Sequence, residues 1–149
     1  MRWGDFDRAA AEFAAVGRRL LTGPDGVAIG FLATAGAAGV HVNPVCPIFC
    51  GDNLCVIAGA RSPKTKDLRS GGAYALHAFL AANDEEFQIA GRAVEIVDAD
   101  ERAAVHGAVR FAAFKRSDPI FAFDVDRALW AYWERVGQPD TKPVRRRWP

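Results

Sequence analysis

Residues 54–68, LCVIAGARSPKTKDL, run from an apolar strand into a short, positively charged helix start. Leu54 to Gly59 is an apolar run of the kind that packs in a sheet. Ser62 then stands where an N-cap is wanted, with Pro63 at the first helical position, where a missing N–H costs nothing. The pattern predicts a helix over 63–70. Arg61, Ser62, Lys64, Thr65 and Lys66 crowd around that proline. The spacing leaves the amides of Lys64 and Thr65 without intrahelical acceptors, and such a helix start attracts anions through its N–H groups and dipole. Arg61 with Lys64 or Lys66 adds charge-assisted hydrogen bonds, and the Ser62 and Thr65 hydroxyls add neutral ones. Donors from several directions suit a phosphate monoester better than a planar carboxylate. Taken alone, the pattern is more commonly a solvated basic first turn with a serine cap.

Upstream, residues 6–21 place Phe6, Ala10, Phe13, Val16 and Leu20 at helical steps, with Asp5 as N-cap, which predicts a helix over 5–21. VAIGFLAT (27–34) reads as a strand and AGAAG as a flexible hairpin connection. VHVNPVCPIF (40–49) reads as a second extended segment, confined to an edge or a bulge by Pro44 and Pro47. GDN (51–53) turns the chain into the strand over 54–59. Downstream, AYALHAFL and FQIAGRAVEIV form a strand pair, the second with a bulge at Gly91. Asp98 and Glu101 have capping-box spacing, which predicts a helix over 99–109. PIFAFDVDRALWAYW (119–133) closes the sheet. From Gln138 the tail is polar and basic, extended over the surface or onto a partner subunit. These elements make one domain over 1–149, mainly β with flanking helices: a mostly antiparallel barrel over about 27–133, followed by a basic tail over 138–149.

The 149 residues suffice for one domain with a real core. The formal net charge of +1 gives no global argument for nucleic acid or a membrane surface, so any basic function is local. No apolar run has the length of a membrane span, and the N-terminal stretch carries acids where a signal peptide is apolar. The expectation is a cytoplasmic protein. Cys46, Cys50 and Cys55 are odd in number and crowded, unlike a secreted disulfide framework. With His41 they lack a paired Cys-x-x-Cys knuckle, so they read as buried strand cysteines and no metal is expected.

The central segment TAGAAGVHVNPVCPIFCGDNLCVIAGARSPKTKDLRSGGAYALHAF (34–79) resembles the pyridoxamine 5′-phosphate oxidase-like family, the flavin-binding split-barrel proteins. The matching residues are Thr34, Gly39, Asn43-Pro44-Val45, Ser62, Lys64, Asp67 and Leu68, with Gly91-Arg92-Ala93 in the later strand. The order of all these features carries the resemblance. It implies a six-stranded antiparallel split barrel that forms a homodimer with cofactor at the subunit interface. It also implies that Arg61, Ser62, Lys64 and Lys66 hold the cofactor phosphate, and that Asn43, Pro44 and Val45 lie along the ring system. The cofactor is FMN, or alternatively the deazaflavin coenzyme F-420, since both carry a phosphate there; a few family members handle haem. The activity implied is hydride transfer between that cofactor and a small molecule, or else flavin binding and storage without catalysis. The ending RRRWP departs from the Arg-Leu-x-Pro of true pyridoxamine phosphate oxidases, which argues against that substrate.

No side-chain acid or base is obligatory in such chemistry, so no catalytic residue is assigned. His77, mid-strand, reads either as a proton donor facing the cleft or, more commonly, as a satisfied half-buried histidine. Trp130, Tyr132 and Trp133 read as core or dimer contact, then as pocket wall. Arg145 to Arg147 without interleaved aromatics is weak evidence for nucleic acid, and none is expected as a partner.

Overall fold

Among the described residues every strand–strand pairing is antiparallel, and together they build one sheet of eight strands. In the computed structural model, which describes residues 1–112 and 114–149, the chain opens with α1 (Trp3–Ala9) and α2 (Ala11–Leu21). Then come β1 (Gly30–Gly36), β2 (Gly39–Val45), β3 (Ile48–Cys50), β4 (Asn53–Ile57), α3 (Pro63–Ser70) and β5 (Ala73–Ala78). It continues through β6 (Glu86–Glu95), α4 (Ala99–Ala108), β7 (Ile120–Glu134) and β8 (Lys142–Trp148). The sheet order is β2-β1-β5-β6-β7-β4-β3, with β8 also on β7. The two proline-bearing strands, β2 with Pro44 and β8 with Pro143, each pair with a single neighbour, where proline's missing N–H is tolerated.

β7 explains the architecture. Its 15 residues exceed the length of any one neighbour on that side. Ile120–Ala122 pair with β4, while Ala128–Glu134 pair with β8. The sheet curls so that its ends share one core: Leu32 and Val45 from β1 and β2 join Leu54 and Val56 from β4, around Leu76, Phe87, Ile89, Phe121 and Phe123. Trp3, Phe6 and Phe13 from the first two helices close this core. α4 covers a smaller cluster that includes Ile48, Cys55, Ile57, Val105 and Ile120. This is the antiparallel split barrel with flanking helices that the resemblance implies, built from eight strands rather than six.

Three elements depart from the sequence expectations. The helix expected over 5–21 is two helices, broken at Ala10, whose φ and ψ are −143° and 53°. The Gly4 amide donates to the Asp52 carbonyl, and Trp3 packs edge-on against Phe6 and Phe49, so α1 is drawn onto the β3–β4 turn and leaves the axis of α2. Asp5 is no cap; it lies inside α1 and accepts from Arg8. The extended segment over 40–49 divides into β2 and β3 at Cys46-Pro47, where proline has no donor. The tail forms β8 on the chain's own sheet. Arg146 holds it there, with a bidentate pair to Glu12 of α2 and its guanidinium over the rings of Phe13 and Trp130. Trp148 packs on Phe6.

The bulge falls where expected, between Ala90 and Gly91. A Cβ on Gly91 would run into the Asp124 carbonyl, and backbone cannot swing aside as a side chain can. Gly107, in α4, faces open space. Urea denaturation checks the contrast: Gly91→Ala is expected to destabilise by ~1–3 kcal/mol through overpacking. Gly107→Ala is expected to stabilise by about 0.5 kcal/mol by stiffening the unfolded chain.

Candidate functional site

α3 begins as its sequence dictates. Ser62 is extended (φ −72°, ψ 146°) and its Oγ accepts from the Thr65 amide, with Pro63 at the first helical position. The Thr65 hydroxyl donates to the Gly59 carbonyl at 2.8 Å, so Thr65 is buried in the cap itself. Of the two amides expected to be free, only that of Lys64 lacks an acceptor among the described residues; that of Thr65 is taken by Ser62.

The helix is anchored by one carboxylate. Asp67 is buried, and its Oδ2 accepts from Thr34 Oγ1 of β1 and from His41 Nδ1 of β2, each at 2.8 Å. The Thr34 hydroxyl first, and the His41 ring second, hold the Asp67 carboxyl below its ordinary range. Gly36 leaves room for this carboxylate, since a Cβ there would collide with it.

Anchoring α3 in this way divides its cations between two concavities. Lys64 lines a groove of about 470 Å³ together with Pro44, Val45 and Cys46 beside β2, Val56 and Ile57 of β4, and Phe111 and Phe114. Its lining is mostly apolar. Arg61, Ser62 and Lys66 line a separate cleft of about 460 Å³ along the other side of the helix, with Arg69. Arg69 is already occupied by a bidentate pair with Glu95. Arg61, Lys64 and Lys66 have no carboxylate partner among the described residues. Asn43 lines neither concavity; it sits half-buried on β2 opposite Leu32. Of the seven residues singled out from sequence, the structure thus gathers Pro44, Val45 and Lys64 at the groove, and Arg61, Ser62 and Lys66 at the cleft.

The groove wall of Phe111 and Phe114 has no counterpart in the sequence reading. The two rings meet edge-to-face at 5.9 Å. The signal was present as an apolar FAAF between Arg110 and Lys115, outside any helix or strand pattern. His77 does not reach the groove: its ring lies between the Ala78 carbonyl and the Glu86 carboxylate. Cys46 lies in the groove wall, and burial pushes its thiol up. Cys55 is buried and pushed up to about 12. Among the described residues no cluster of metal-binding side chains occurs and no helix is long and apolar enough to cross a membrane.

No protein-family model matches this sequence, and no curated protein matches it significantly. Solved structures do match in fold. A haem-binding protein from Mycobacterium smegmatis is 16% identical with a TM-score of 0.60, over 86% of this chain; the chain spans 57% of that protein's length. A NimC/NimA family protein from Clostridium acetobutylicum is 11% identical with a TM-score of 0.61, over 95% of this chain and 94% of that one. PhzG from Burkholderia lata, solved with tetrahydrophenazine-1-carboxylic acid, is 15% identical with a TM-score of 0.54, over 95% and 90%. The chain has the split-barrel fold of the pyridoxamine 5′-phosphate oxidase-like proteins.

Two measurements probe the anchor and the thiols. A carboxyl with a depressed folded value stabilises fully above its unfolded value of about 3.9, and that contribution is lost as pH falls through the lower folded value. The gap in urea midpoint between wild type and Asp67→Asn is therefore expected to be widest near neutral pH and to narrow toward pH 3. Iodoacetamide at pH 8 is expected to spare Cys55 in the folded protein and to modify it in urea, read by mass spectrometry.

Proposed function

We propose that the groove beside α3 binds FMN and that the protein is a flavin-dependent oxidoreductase acting on a small molecule. One observation carries this reading. An unpaired lysine at a serine-capped helix start opens onto a mostly apolar groove of about 470 Å³, shared with Pro44 and Val45. Ligand pockets span ~300–1,000 Å³, so a planar ring system fits the space, and a phosphate finds a cation and a free amide at its edge. Lys64 would hold the phosphate from the groove, with Ser62, Arg61 and Lys66 approaching from the cleft on the other side of the helix. Pro44, Val45 and the apolar wall would flank the ring.

When bound, FMN supplies hydride transfer. The chain's part is to orient and to exclude water: Val56, Ile57, Phe111 and Phe114 give the groove a dry wall. The fold shared with PhzG and with pyridoxamine 5′-phosphate oxidase-like proteins supports the same reading.

The reading includes a homodimer. The outward faces of β1 and β2 leave Phe31, Val40 and Val42 exposed, and Phe79 and Leu80 lie just beyond β5. Phe31 and Phe79 stack edge-on at 4.6 Å. A contiguous apolar face of this kind suits a second copy of the chain, which would also supply a further wall to the open groove.

Fluorescence titration of the purified protein with FMN, the deazaflavin coenzyme and haem tests the assignment. Saturable FMN binding is expected. Arg61→Ala with Lys64→Ala is expected to weaken it by roughly 10–100-fold, since a hydrogen bond to a charged group contributes ~1.5–3 kcal/mol. Unchanged affinity in the double variant would remove the phosphate assignment. Tight binding without turnover on supply of NAD(P)H would make the protein a flavin carrier.

A further inference from the structure

The face formed by β6, β7 and β8 carries another recess, which shares no residue with the groove or with the cleft along α3. Its volume is about 190 Å³, and it is lined by Gln88 and Ala90 of β6, Arg127, Ala128 and Leu129 of β7, Arg147 of β8 and the terminal Pro149. Strand register explains the grouping. Gln88 pairs with Leu129 and Leu129 with Arg147, so these three stand in one row across three strands. Ala90 pairs with Arg127 one row along. Diagonal neighbours on one sheet face stand ~7–8 Å apart at their α-carbons, so two arginine side chains there can converge on one small group. The buried Ala90 contributes only a methyl, which leaves the recess open between them.

The two arginines in this recess make no ion pair among the described residues, with a side chain or with the chain terminus at Pro149. Among the described residues, neither Arg127 nor Arg147 has a carboxylate within ion-pair distance, whereas Arg19, Arg69, Arg135 and Arg146 each do. Arg146 makes the contrast sharp. One residue from Arg147, it points to the opposite face and is held by Glu12. Glu86, two residues before Gln88 on β6, is engaged with His77. Two guanidiniums lining one recess without an ion-pair partner repel each other, and an anion between them removes that cost. Their planar donor forks match carboxylate and phosphate oxygens, and Gln88 adds an amide donor. The space suits a group of a few heavy atoms and is too small for a nucleotide.

We propose that this recess is a binding site for a small carboxylate or phosphate anion, held by Arg127 and Arg147 with Gln88 as a further donor. Two-dimensional NMR titration of the full chain at low ionic strength, with inorganic phosphate and separately with succinate, tests it. The side-chain amide of Gln88 and the Arg127 Nε–H are the reporters. Saturable shifts with at least one probe are expected. Arg127→Gln and Arg147→Gln are each expected to raise the dissociation constant at least tenfold. Arg145→Gln, two residues along the same strand, and Arg61→Ala with Lys64→Ala are expected to leave it unchanged. Preference for phosphate or for succinate identifies which anion class the site takes. Absence of saturable shifts with both probes would overturn the proposal, as would equal loss in Arg145→Gln, which would mean nonspecific charge. A change in sedimentation of Arg127→Gln or Arg147→Gln without anion binding would also overturn it, because the arginines would then meet a carboxylate of a second copy.

Discussion

A single buried carboxylate sets where the chemistry of this protein can lie. Asp67 is shielded from water, and a charge in that position is tolerable only if hydrogen bonds replace its hydration. Thr34 and His41 supply them from two adjacent strands. The result is that α3 has one orientation on the β1–β2 hairpin. Ser62, Pro63 and Lys64 lie only three to five residues before this anchor, at the start of the same helix, so its N-terminus is aimed by the same contact. Gly36 is part of the device, because any side chain there would take the space of the carboxylate.

The sheet supplies the second constraint. β7 outruns its neighbours, and the side opposite β6 is shared between β4 and β8. A sheet paired in this manner curls, and its curl brings β2 and β4 to either side of the groove while leaving the β6–β8 face open. The groove and the recess are thus products of one topology: one lies where the sheet's ends approach each other, the other where it spreads.

Arginine usage divides along the same lines. Arg19, Arg69 and Arg146 tie elements of the chain together through bidentate carboxylate pairs. Arg61, Arg127 and Arg147 line concavities and have no ion-pair partner among the described residues. With a formal net charge of only +1, these uncompensated cations are local features, which is the form that recognition of small anions takes.

Local elements were legible in the sequence because their determinants lie within a few residues of one another. The Ser62 cap, Pro63 at the first turn, the Gly91 bulge and the Asp98 cap, which accepts from the amides of Asp100 and Glu101, all belong to this class. The order of such elements suggested one mostly antiparallel sheet closing into a barrel, and the family resemblance implied its split-barrel form. The break at Ala10, the β8 pairing and the Phe111–Phe114 wall were not legible, because each depends on partners far away in the chain. Arg146 and Glu12 are 134 residues apart, and Asp67 is 33 from Thr34 and 26 from His41. Which side of α3 each cation faces is equally nonlocal. The sequence by itself determined that a capped, cationic helix start follows a buried strand. Tertiary structure alone decided that Lys64 opens on one groove while Arg61 and Lys66 face another cleft, because the roll of a helix about its axis is set by what it buries.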